Sequence, residues 1–217
     1  MEPQEGLARP TTMSARIRIG RAVSAVMMAL AVALVALQAS APAQTRPAIS
    51  MPVYVLRGAL GIFSSGMDTL ADLMNANGIY AVSEPFDGWR NYTAAIVKTY
   101  KANKYPIALV GHSWGANTIL LMAYELEKQD IPVALLVFYD ITNSARIPPN
   151  VQWVINYRSN SATGANTEVV GGAGFTGTID NITRPDLNHV EIDKQAALHW
   201  QTIGAIRRVF GETYKPN

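Results

Sequence analysis

The sequence contains no cysteine, which excludes disulfides, a thiolate nucleophile, Cys-ligated zinc and a lipid-modified cysteine. Histidine is almost as scarce, with three residues, His112, His189 and His199. Chemistry that needs an imidazole therefore has three candidates. No group of ligand-type residues clusters along the chain, so no metal or other cofactor is expected. Long hydrophobic runs are missing too, with one exception, the uncharged 16-residue stretch Ala22–Leu37. That run is shorter than the ~20 residues a membrane-spanning helix needs.

Four arginines (Arg9, Arg16, Arg18 and Arg21) precede the run, and Ala41-Pro42-Ala43 follows it. A basic segment, an apolar segment and a small-x-small site are the three parts of a secretory signal. The expectation is a signal peptide over 1–43, cut after Ala43, and a protein exported to the periplasm or the medium. Met13 is a natural start, because it puts the arginines directly at the N-terminus. An uncleaved membrane anchor and a buried N-terminal helix are the other readings of this segment.

Removing 43 of the 217 residues leaves 174, enough for one domain with a proper core. Four of the 18 basic and two of the 16 acidic residues leave with the signal, so 14 of each remain. The whole-chain pI of 8.9 is thus partly a property of the targeting segment. No basic run survives, and nucleic acid is not an expected partner. The partner expected is a small-molecule or lipid-like acyl substrate, for reasons that come from the serine motif below. Composition leaves the oligomeric state open.

After a linker over 44–51, apolar β-branched segments alternate with helical ones. Strands are predicted at 52–56, 79–86, 105–111, 132–140 and 151–157. Helices are predicted at 66–78, with Met67, Leu70, Ala71 and Met74 at helical intervals, and at 87–103 and 116–130. The last helix begins near Asp193, a plausible N-cap, and carries Trp200, Ile203, Ile206 and Phe210 along one face. The strands are apolar without in/out alternation, as in a parallel sheet buried on both sides. The fold class is α/β, a mostly parallel sheet with helices on both faces, in one domain over 52–217.

One motif carries chemistry. "ALVGHSWGAN" places Ser113 between Gly111 and Gly115, where a buried strand gives way to a helix. Glycines on both sides let the backbone fold back and lift the hydroxyl clear. The Trp114 N–H, at the start of the helix, is then aimed at the reacting atom as an oxyanion donor. A serine needs a base. His112 lies within the turn and points away from Ser113, and His199 lies within the final helix. His189, in the polar loop "RPDLNHVEIDK", is the position best able to reach across. Asp140 ends the strand "VALLVFYD" at the same edge and is the carboxylate expected to orient the base, with Asp180 and Asp186 as competitors.

The chain resembles the α/β-hydrolase family over about 52–210, on the strand–"GHSWG"–helix element, on "FYD" and on "NHVEID", in the order Ser, Asp, His. Among its members it is similar to small exported bacterial serine hydrolases without a cap domain. The resemblance implies Ser113 as nucleophile, Asp140 as acid and His189 as base. It also implies a second oxyanion donor, the N–H of Ala59 or Leu60, in the loop after the first strand. Two departures stand out. The family often has a His-Gly pair where this chain has Arg57-Gly58. Its acid most often follows the next strand, but 154–164 contains no carboxylate. Ten residues between Asp140 and the next strand leave no room for a lid.

The activity implied is cleavage of an ester or thioester through an acyl-enzyme. Two alternatives are a hydrolase-like binding module with an idle serine and an acyltransferase using the same nucleophile. "GAGFTG" (172–177) fits a dinucleotide fingerprint by letter, but "TIDNITRP" follows it where a helix would be required. It reads as a flexible loop. The sequons "NYT" and "NIT" read as accidental matches.

Overall fold

A computed structural model describes residues 51–59, 61–161 and 167–211. The expected signal segment, and Leu60 with it, lie outside the described residues. Six strands form one sheet: β1 (Val53–Arg57), β2 (Ala81–Pro85), β3 (Ala108–His112), β4 (Leu135–Tyr139), β6 (Trp153–Ser159) and β8 (Thr178–Arg184). Their order is β2-β1-β3-β4-β6-β8, and each neighbouring pair is parallel. Among the described residues three helices cross between them, α1 (Ser65–Ala76), α2 (Trp89–Asn103) and α3 (Trp114–Glu127), and a fourth, α4 (Ala196–Val209), follows β8.

The pleat sorts the apolar strands between two cores. Val53, Val55, Ala108, Val110, Leu135 and Val137 pack with Met67, Leu70 and Met74 of α1 and with Leu198, Ile203 and Ile206 of α4. Their alternates, Leu56, Leu109, Leu136 and Phe138, pack with Ile96 of α2 and with Ile119, Met122 and Leu126 of α3. Both faces are thus covered, which is why the strands read as continuous apolar runs. No helix stands between β4 and β6 among the described residues, and the fold is α/β, a parallel sheet with helices on both faces and, among those residues, no cap over the sheet's edge.

Three details differ from the sequence reading. Ala145–Ile147 (β5) and Val169–Gly171 (β7) pair in parallel as a small second sheet where only loops were expected. In α4 the buried face is Leu198, His199, Thr202, Ile203 and Ile206, whereas Trp200 is 39% exposed. His199 can face inward because its Nε2 bonds the Asp193 carbonyl at 2.6 Å. Asp193 does not cap α4, whose N-cap is Gln195; its carboxylate instead accepts the Gly66 N–H in the first turn of α1, at 2.9 Å. A negative charge there suits the helix dipole.

The order of the strands decides where a site can form. From β1 the chain crosses outward to β2, then returns to place β3 on the other side of β1. The loops after β1 and β3 therefore diverge, leaving a crevice at the carboxyl edge between them.

Candidate active site

Ser113 sits at that crevice, between β3 and α3, with φ 57° and ψ −124°. A non-glycine residue in this region costs about 1–3 kcal/mol and persists only where the surroundings enforce it. Packing enforces it here. A methyl group on Gly115 would lie 2.2 Å from the Leu56 carbonyl oxygen, and one on Gly111 would lie 2.5 Å from the Gly115 carbonyl. The two glycines let α3 start directly against the ends of β1 and β3. The Ser113 carbonyl then accepts the Ala116 and Asn117 N–H groups at 3.0 and 3.2 Å. The Trp114 N–H, in the first turn, is left without an intrahelical partner.

The structure brings three of the sequence-derived side chains into one line. The Ser113 hydroxyl lies 3.0 Å from His189 Nε2, and His189 Nδ1 lies 2.9 Å from Asp140 Oδ2. An ionised carboxylate only accepts, so Nδ1 carries the proton and Nε2 is free to accept from the serine. Asp140 is fully buried and His189 one-quarter exposed. Burial alone pushes the Asp140 carboxyl up, but bonds from His189 and from the Ser159 hydroxyl and N–H outweigh it and hold its pKa below the ordinary value. The two competing carboxylates are engaged elsewhere. Asp180 accepts the Trp153 indole N–H at 2.7 Å, and Asp186 pairs with Arg184.

Gly58, just after β1, abuts the serine: a methyl on it would lie 2.8 Å from Ser113 Cβ. Ala59 follows it in the turn after β1. Arg57 turns to Asp68, 3.3 Å away, on the rim. His112 is buried beneath the turn, with Nδ1 2.8 Å from Ser64 Oγ and Nε2 2.8 Å from the His189 carbonyl. Burial lowers its pKa, against the Asp193 charge and the bond to His189, which act the other way.

Ser64 and Ser159 are absent from the sequence reading. Neither lies in a motif, and the one signal for Ser159 is its place at the carboxyl end of the strand beside Asp140. Two open cavities meet at Phe86. One, of about 440 Å³, is bounded by Arg57, Gly58, Ile62 and Asp87. The other, of about 360 Å³, is bounded by Trp114, Asn117, Thr142 and Asn143. Ile62, Phe63 and Val190, in the loops around the site, and Trp114, at the start of α3, are exposed large apolar residues. Among the described residues no group of His, Asp or Glu gathers as metal ligands would. "GAGFTG" leads into strand β8, not into a helix.

No protein-family model matches the sequence, and no curated protein matches it. Solved structures do. A Xanthomonas campestris protein, assigned provisionally to the hydrolases of the alpha/beta superfamily, is 12% identical at a TM-score of 0.40, over 74% of this chain and 98% of that one. A pyrethroid hydrolase is 11% identical at 0.45, over 74% and 97%. A type II thioesterase from the yersiniabactin biosynthetic pathway is 13% identical at 0.39, over 77% and 96%. The fold assignment itself rests on this chain's own sheet order and crossovers.

Proposed function

We propose that this chain is a serine hydrolase acting on a carboxylic ester or thioester, with Ser113, His189 and Asp140 as nucleophile, base and acid. The observation that supports it most is the unbroken line Ser113–His189–Asp140, with contacts of 3.0 and 2.9 Å, on a serine held at positive φ. In this reading Ser113 Oγ attacks the acyl carbon while His189 Nε2 takes its proton. Asp140 keeps the imidazole in the tautomer with Nδ1 protonated and stabilises the cation that forms. The oxyanion is held by the N–H groups of Trp114 and of Ala59 or Leu60. Collapse breaks the C–O or C–S bond, and His189 returns its proton to the leaving alcohol or thiol. Water then repeats the attack on the acyl-enzyme and releases the acid.

The exposed apolar residues around the serine support an acyl substrate with an apolar chain or group. Export remains part of this reading on the strength of the N-terminal segment. The test is turnover of short and long acyl esters and the matching thioesters, with product analysis. Free acid as product supports hydrolysis. Acyl transfer to an added alcohol or amine in preference to water points to the transferase, and no turnover with intact folding to the binding module.

A further inference from the structure

Ser64 and His112 have no part in the proton-transfer line, yet their bonds join the loop after β1 to the Ser113 turn and the His189 loop. We infer that Ser64 and His112 form a buried positioning pair, which fixes the oxyanion loop and the His189 loop against the Ser113 turn. The inference rests on the proposed hydrolase reading.

The direction of each bond follows from its partner. The His189 carbonyl can only accept, so His112 Nε2 donates to it at 2.8 Å. In the neutral ring Nδ1 must then accept, and the Ser64 hydroxyl donates to it, also at 2.8 Å. The Ser64 oxygen is left to accept from the Gly58 N–H at 3.0 Å. The chain of donors therefore runs one way, from Gly58 through Ser64 and His112 to His189. Each member is satisfied only while His112 is neutral. A second proton on the ring would make Nδ1 a donor and take away the acceptor of the Ser64 O–H.

The endpoints give the pair its significance. Gly58 opens the loop whose Ala59 or Leu60 N–H is the second oxyanion donor in the proposed mechanism. His112 precedes the nucleophile, and the carbonyl it holds belongs to the base itself. Ser64 and His112 are each 1% exposed, so these bonds are shielded from competing water. A second tie joins the same two loops at the surface, where Lys194 Nζ donates to the carbonyls of Phe63 and Val190 at 3.0 and 2.6 Å. Misplacement of a reacting group by about 1 Å can cost 10²-fold in rate, and loosening this pair frees two of the three loops to shift by such amounts.

The experiment compares kcat, KM and the fluorophosphonate labelling rate of the full chain with those of Ser64→Ala, Ser64→Thr and His112→Gln. Ser64→Ala is expected to lose up to about 10²-fold in kcat and labelling rate, with KM within about twofold of the parent. Ser64→Thr, which keeps the hydroxyl, should recover most of the loss. His112→Gln keeps a donor for the His189 carbonyl but not the ring acceptor, and should fall between. A parent that labels while Ser64→Ala matches it overturns the inference alone, as does a Ser64→Thr as slow as Ser64→Ala. A parent that never labels overturns the hydrolase reading with it. If Ser64→Ala does not fold, the ¹⁵N shifts of the parent's His112 decide: a protonated Nε2 with an accepting Nδ1 supports the inference, and the opposite tautomer overturns it.

Discussion

Ser159 donates twice to one carboxylate: its N–H and its hydroxyl both reach Asp140, at 2.6 and 2.5 Å. The two residues meet because β4 and β6 are neighbours, with Tyr139 opposite Tyr157. The strand that offers no acid after its end thus supplies the donors that hold the acid of the strand beside it. Hydrogen bonds to a charged group contribute about 1.5–3 kcal/mol, so Ser159→Ala should destabilise the fold by that order. The sign with pH follows. A carboxylate whose pKa is depressed by folding contributes stability above its unfolded pKa, and that stability is lost as the pH falls through the folded value. Ser159→Ala narrows the gap, so acid unfolding should begin at a higher pH than in the parent. Urea titrations at descending pH check this; superimposable acid limbs would contradict it.

The buried histidines give a second pH dependence, nearer neutrality. Burial lowers the pKa of both His112 and His199 from the ordinary 6.5, outweighing the bonds and charges that raise it. Between their folded values and 6.5 the unfolded chain binds more protons than the native one, so stability must fall as the pH drops through this window. The melting temperature should decline between about pH 7.5 and 5.5, with a shallower slope in His199→Gln. A flat profile in the parent would show that these rings are not held neutral.

Two glycines in helices should respond oppositely to alanine. At Gly115 the added methyl meets the Leu56 carbonyl at 2.2 Å, whereas at Gly204, in α4, it meets nothing within 4 Å. Gly115→Ala should cost about 1–3 kcal/mol as overpacking and, by pushing α3 off β1, most of the proposed hydrolase activity. Gly204→Ala should stabilise the helix by about 0.5–1 kcal/mol and leave activity unchanged. Denaturant melts and an ester assay separate the two, and equal effects on stability would contradict the packing argument.

What the sequence revealed of the site was what local rules control. Gly111, Ser113 and Gly115 stand out because a strand-to-helix turn has strict steric needs, and Asp140 because a charge follows seven apolar residues. The fold class was legible from apolar strands alternating with helices. Ser64 and Ser159 were not, since their partners lie 48 and 19 residues away and one hydroxyl looks like another in a loop. The inward turn of His199 and the task of Asp193 escaped for a similar reason: periodicity ranks Trp200 above a histidine for burial, but a bond to the Asp193 carbonyl reverses the order. Asp193 itself reads as the cap of the nearest helix, whereas it serves one 127 residues away.

The central claim is that Ser113 is a nucleophile activated by His189, and fluorophosphonate labelling tests it most directly. The parent, Ser113→Ala and His189→Ala would be labelled side by side, with circular dichroism to confirm that each is folded. The account predicts strong labelling of the parent, none at Ser113→Ala, and labelling slowed to the rate of an ordinary surface serine in His189→Ala. Labelling of Ser113→Ala at the parent's rate, or a folded parent that does not label, would contradict it.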